Sequence, residues 1–130
     1  WRDHGRRLTR VDPRYAMERF TACRVHFLLC GPLAGCRRLV VWGAGPTGKT
    51  LARELVARGA PLTAFVDVDP RKIGRRVRGV EVLAPEALGP LLGPGVVVLA
   101  AVGAAGARDL IRARLTACGL EEGRELWCVA

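Results

Sequence analysis

Apolar positions along this chain change period as the sequence is read. Ala16, Phe20, Cys23, Phe27 and Cys30 recur at helical spacing, which puts them on one helix face. Asp12-Pro13 suits the start of that helix, because Asp accepts free amides and Pro fits the first turn. Gly31-Pro32 ends it. A leading amphipathic helix over about 13–30 is expected to pack this face on the rest of the chain. Residues 1–11 read as an irregular basic strand or loop.

Short apolar runs then alternate with helical stretches. RLVVW (38–42), LTAFV (62–66), GVEVL (79–83), VVVLAAV (96–102) and ELWCV (125–129) are predicted strands. Helices are predicted over 47–58, burying Leu51, Leu55 and Val56, and over 105–118, burying Leu110, Ile111 and Leu115. Helical turns are expected from Asp69-Pro70 to Gly74 and over 85–88. Strands apolar on both faces and separated by helices imply a parallel sheet covered on both sides. The fold class expected is therefore α/β, doubly wound and mainly parallel. The leading segment would be 1–36 and the sheet domain 37–130.

Composition narrows the function classes. The chain has 130 residues, half of them hydrophobic and a quarter charged, which is ordinary globular usage. Its longest uncharged apolar stretch, Gly89 to Ala107, is broken by Pro90, Gly93, Pro94 and Gly95. No transmembrane segment is expected. The net charge is +9, but residues 1–38 hold +6 of it. The surplus is thus a basic leading segment rather than a basic domain, and no nucleic-acid partner is expected. Five cysteines include no C-x-x-C pair. Buried free thiols in a reducing, cytoplasmic setting are expected, with Cys23 and Cys30 on the apolar helix face. The chain starts at Trp1, so a piece of a longer protein is expected.

The candidate chemistry lies in Gly43-Ala44-Gly45-Pro46-Thr47-Gly48-Lys49-Thr50. It fits G-x-G-x-x-G through Gly43, Gly45 and Gly48, and G-x-x-x-x-G-K-[ST] through Gly43, Gly48, Lys49 and Thr50. Either pattern sets a phosphate at a helix N-terminus, where free amides and the helix dipole favour negative charge. A dinucleotide site also needs an acid at the end of the next strand, about 20 residues on. Asp67 follows LTAFV at that position, placed to accept both ribose hydroxyls. A P-loop needs a second acid on another strand, and VVVLAAV ends in Gly103 instead. The Rossmann-like alternative is favoured. Gly103 faces the same crevice at the carboxyl edge of the sheet.

The candidate cofactor-binding residues are therefore Gly43, Gly45, Pro46, Thr47, Gly48, Asp67 and Gly103. Lys49 becomes a plain first-turn residue. Asp67-Val68-Asp69 also resembles a D-x-D metal motif, but Asp69 before Pro70 is better explained as a helix cap. The basic run Arg71, Lys72, Arg75, Arg76 and Arg78 could serve a 2′-phosphate of NADP, but Asp67 would repel that phosphate, so a solvated loop is expected. No metal ligands and no catalytic pair are expected: Tyr15 is the only Tyr, and no Ser–His couple appears.

Residues 38–83 resemble the small Rossmann-like nucleotide-binding domain of bacterial sugar-modifying enzymes, most clearly in FVDVDPRKIGRRVRGVEVL. A domain of this type also precedes the acyltransferase domain of bacterial sugar acetyltransferases. Residues 1–15, through Trp1, Arg2, His4, Leu8, Thr9 and Arg10, resemble the region that closes the catalytic domain of family 2 glycosyltransferases. The whole chain is thus similar to the C-terminal extension of a bacterial family 2 glycosyltransferase. That resemblance implies a nucleotide-type ligand, NAD(P) or a nucleotide-sugar, and a catalytic domain lying N-terminal in the same chain. It also implies a cytoplasmic location, at the inner membrane face through the parent, with a homodimer open. The alternatives are an NAD(P)-dependent oxidoreductase fragment, a ligand-free structural or interaction module, and a P-loop NTPase.

Overall fold

The computed structural model describes residues 13–129, with side chains from residue 19 onward. The Asp12 cap, residues 1–11 and His4 lie outside the described residues, as does the side chain of Ala16. Helix α1 (Pro13–Cys30) leads into β1 (Arg38–Trp42), α2 (Pro46–Ala57) and β2 (Leu62–Val66). A hairpin of β3 (Arg76–Val77) and β4 (Val80–Leu83) follows, then 3-10 turns at Pro85–Ala87 and Gly89–Leu91. The chain continues through β5 (Val96–Ala100), α3 (Ala107–Ala117) and β6 (Leu126–Cys128).

The six strands lie in the order β3-β4-β2-β1-β5-β6. All neighbours are parallel except the β3–β4 hairpin. β1 is central, with β2 on one side and β5 on the other. Leu39, Val40, Val41 and Trp42 are all buried, which is why the strand reads as an unbroken apolar run.

The core divides along the alternation of strand side chains. Leu39 and Val41 join Leu51, Ala52 and Leu55 of α2 and Val25 and Leu28 of α1. Val40 and Trp42 join Ile111 and Leu115 of α3. The helices thus cover both faces: α2 follows β1 onto one face, and α3 follows the neighbouring β5 onto the other. A crevice opens where the strand order reverses in this way.

Several expectations are corrected. Helix α1 has the expected bounds but buries its other stripe. Phe20 is 59% exposed and Phe27 62%, and Cys23 and Cys30 are also exposed. Val25 and Leu28 pack inward instead. Both stripes of this helix are apolar, so periodicity alone does not choose between them. The five thiols are free, but Cys23, Cys30 and Cys118 are exposed rather than buried. Val56 sits at the edge of the α2 contact and is 36% exposed. The helical turn expected from Asp69 to Gly74 is present as a single turn, with the Asp69 carbonyl accepting the Lys72 and Ile73 amides at 2.9 and 3.2 Å. Strand β5 stops at Ala100, leaving Ala101 to Gly103 free to shape the crevice.

Candidate functional site

The connection from β1 to α2 takes only Gly43, Ala44 and Gly45. Gly43 has φ 120°, and a Cβ there would stand 2.9 Å from the Ala101 carbonyl oxygen. Its amide donates to the Val66 carbonyl at 2.7 Å, so the loop crosses tightly between β2 and β5. Gly48 lies beneath the loop, where an added Cβ would fall 1.8 Å from the Gly43 oxygen. The third glycine therefore permits helix-on-strand packing. Gly45 caps the helix without a side chain, Pro46 follows, and the first turn holds no acid. The first-turn amides of an α-helix lack intrahelical acceptors. Here they lie at the crevice, and no acid of the helix's own first turn offsets its positive dipole end.

Asp67 stands at the end of β2 and is 9% exposed. Its Oδ2 accepts the Ala44 amide at 2.9 Å, and its Oδ1 accepts the Asp69 amide at 3.0 Å. The carboxylate ties the glycine loop to the neighbouring strand. Each oxygen keeps acceptor capacity toward a ligand. The ammonium of Lys72 lies 3.8 Å from Oδ2. Asp69 itself turns away onto Arg71, accepting the backbone amide at 2.9 Å and Nε at 3.2 Å. That side-chain bond, and then the amide, hold the Asp69 carboxyl below its ordinary range. Capping thus accounts for Asp69, and among the described residues no cluster of three potential metal ligands occurs.

The crevice has a volume of about 550 Å³. Gly43, Gly45, Pro46, Thr47, Asp67 and Gly103 line it, so six of the seven sequence-derived site residues converge there. Gly48 supports the loop from behind. Lys49 and Thr50 are exposed and do not line the crevice; a P-loop would need them on the phosphates and a cation. Gly103 lines the opposite wall, and a Cβ there would meet nothing within 4 Å.

The sequence left several lining residues unseen. Trp42, Val102 and Ile111 make an apolar far wall. Leu110, expected to be buried, is 74% exposed and lines the crevice. Arg114 reaches the same wall and pairs with Glu86 at 3.3 Å. Ala107, Leu110, Ile111 and Arg114 share one face of α3; their three- and four-residue spacing was the available signal. Lys72 was assigned to a solvated loop, yet it lines the crevice beside the glycines.

This order of strands, with a glycine loop and acid at the switch point, defines the architecture. The chain has a Rossmann fold. Solved structures share it. RSP, a Rex-family repressor, matches over 86% of this chain and 60% of its own, with TM-score 0.59 and 19% identity. RSP in complex with beta-NADH matches at TM-score 0.60 and 18% identity, over 87% of this chain and 61% of its own. UDP-D-quinovosamine 4-dehydrogenase from Vibrio fischeri matches at TM-score 0.60 and 22% identity, over 73% of this chain and 79% of its own. The chain thus spans about 60% of the length of RSP. No family model matches the sequence, and no curated protein matches it. Among the described residues no helix is long and apolar enough to cross a membrane.

Proposed function

We propose that this Rossmann domain binds the diphosphate and ribose of a nucleotide, as an accessory domain of a bacterial glycosyltransferase. One observation carries the binding half: the loop that leads into the N-terminus of α2, which no side chain caps, is also the loop that Asp67 holds, its Oδ2 accepting the Ala44 amide at 2.9 Å. Gly43, Gly45, Pro46, Thr47 and Gly48 form the phosphate end, Asp67 takes the ribose hydroxyls, and Gly103 leaves the opposite wall open. The likeness of residues 1–15 to the closing region of family 2 glycosyltransferases supports that context, and the run FVDVDPRKIGRRVRGVEVL supports a sugar-modifying parent more broadly. The ligand in that context is a nucleotide-sugar, and the catalytic domain is supplied by the parent. Nucleic acid is left out, because most of the charge surplus lies in residues 1–38 rather than on the sheet domain.

A second possibility has its own support. RSP has been solved with beta-NADH, which favours NAD(H) as ligand, and the likeness to UDP-D-quinovosamine 4-dehydrogenase favours an NAD(P)-dependent oxidoreductase as parent. Both ligands present a ribose next to a diphosphate, so the same crevice serves either.

Thermal unfolding against UDP, UDP-sugars, NADH, NADPH, magnesium-ATP and coenzyme A separates them. A ligand at 100 times its dissociation constant adds about 2.7 kcal/mol, or roughly 5–15 °C at this size. A shift with UDP compounds supports the glycosyltransferase parent, and a shift with NADH alone supports the second reading. Gly45→Ala is the control: its Cβ would sit 3.7 Å from the Lys72 Nζ, an ordinary contact. The fold should survive while the methyl group blocks phosphate. A flat response across the panel overturns nucleotide binding and leaves an interaction module.

A further inference from the structure

A carboxylate beside a phosphate site creates an electrostatic conflict. Asp67 is placed to read ribose hydroxyls, yet its negative charge repels the phosphate joined to that ribose. The α2 N-terminus offers oriented amides but no side-chain cation: Lys49 is exposed and off the crevice wall. Arg71 is engaged with Asp69, and Arg114 with Glu86 on the far wall. Lys72 is placed differently. Its backbone is fixed, because the Asp69 carbonyl accepts its amide at 2.9 Å and the Gly74 amide donates to Val82 at 2.8 Å. From that turn the side chain reaches back over the glycine loop. The ammonium stands 3.8 Å from Asp67 Oδ2 and 3.7 Å from where a Cβ on Gly45 would be.

The first of those distances is beyond hydrogen-bond length. Asp67 is already supplied with two backbone donors, at 2.9 and 3.0 Å. The ammonium is therefore near enough to offset the carboxylate charge, while its three donors stay available to a ligand.

We propose that Lys72 is the phosphate-charge contact of this crevice, and that with Asp67 it selects a nucleoside diphosphate over the free nucleoside. This rests on the phosphate-and-ribose reading above. The ammonium screens the carboxylate, so ribose recognition and phosphate binding coexist in one site. A phosphate on the ribose 2′ position has the same chemistry, but it would sit against the Asp67 carboxylate, which repels it; the diphosphate lies toward Gly45 and the helix amides, still within reach of the ammonium.

The test is titration of the full chain, and of its Lys72→Gln and Lys72→Arg variants, with ADP, UDP, 2′,5′-ADP, adenosine and uridine. Lys72→Gln should weaken the diphosphate that binds by about tenfold, the scale of one charge-assisted contact. Nucleoside affinity should stay unchanged, Lys72→Arg should restore most of the loss, and the difference should shrink with added salt. Equal losses for diphosphate and nucleoside would show that Lys72 only positions Asp67, and would overturn the inference. A larger loss for 2′,5′-ADP than for ADP would overturn it too. Unchanged diphosphate binding in Lys72→Gln overturns the inference and leaves the site reading intact. A wild-type chain that binds neither ADP nor UDP overturns the site reading itself.

Discussion

Two helices start at the carboxyl edge of the sheet and face one another across the crevice, and they start in opposite ways. Helix α2 follows β1 after three residues, on a loop held by Asp67 and by close contact between Gly43 and Gly48. Helix α3 follows β5 through the longer stretch Ala101 to Gly106. Added Cβ atoms at Gly103 and Gly106 would meet nothing. The first turn of α2 has no acid, whereas α3 carries Asp109 in its first turn. One helix start is sterically specified and has no acid in its first turn; the other has open space at Gly103 and carries an acid in its first turn. In the nucleotide-binding proposal, α2 is therefore the end that takes the external anion.

The comparison breaks most visibly at the glycines. Gly48→Ala drives a Cβ into the Gly43 carbonyl and should cost at least about 3 kcal/mol in urea unfolding. Gly103→Ala should stay within about 0.5 kcal/mol. Equal costs would remove the steric half of the contrast. Next in size is Asp67→Ala. Ala44 is 1% exposed, so its amide would lose its acceptor away from water, at a cost of about 1–3 kcal/mol. Asp67→Asn keeps one acceptor oxygen and should lose less.

A charge placed at α2 sharpens the electrostatic half. Thr47→Asp should raise the stability of the free chain by about 0.3–1 kcal/mol, because it supplies the missing first-turn acid. The same change should abolish nucleotide-induced stabilisation. Asp109→Asn in α3 should lower stability by a similar amount and leave ligand response alone. If Thr47→Asp retained full ligand response, the α2 end would not be the anion site.

The smallest effect concerns pH. Arg71 holds the Asp69 carboxyl below its ordinary value. A group with a depressed folded pKa stabilises above its unfolded pKa, about 4 for Asp, and loses that stability as pH falls through the folded value. The melting-temperature gap between wild type and Asp69→Asn should therefore be present at neutral pH and close in acid. A gap unchanged down to pH about 2 would show that the Arg71 contact does not stabilise the turn.

What the sequence revealed depended on how many constraints acted on each residue. The strands β1, β2 and β5 were legible because burial on both faces demands continuous apolar runs. Gly43, Gly45, Gly48 and Asp67 were legible because a tight turn, a close packing contact and an acid at the next strand end recur together. Strand β3 was not visible. It has two residues, and Arg76 is exposed, so no alternation marks it; its signal was the turn at Arg78 and Gly79, both at positive φ. The face of α1 was misassigned because both its stripes are apolar. Lys72 was missed because its role depends on a turn that folds it back over the loop, which spacing along the chain does not encode.

The pairing of β1 with β5 closes a longer stretch of chain than the pairing of β1 with β2, and loop-closure entropy then predicts an order of events. Arg38 lies opposite Val96, and Trp42 opposite Ala100. The loop between them contains two helical or hairpin crossovers, and its closure must precede any reward from that pairing. β1 and β2 pair across a much shorter segment, Leu39 with Leu62 and Val40 with Ala64. The glycine loop and Asp67 can therefore come together early, while the wall bearing Gly103 and α3 arrives last. During synthesis, a ribosome-bound chain released only through residue 90 would hold half of a crevice, and ligand could hasten the final docking step without touching the first.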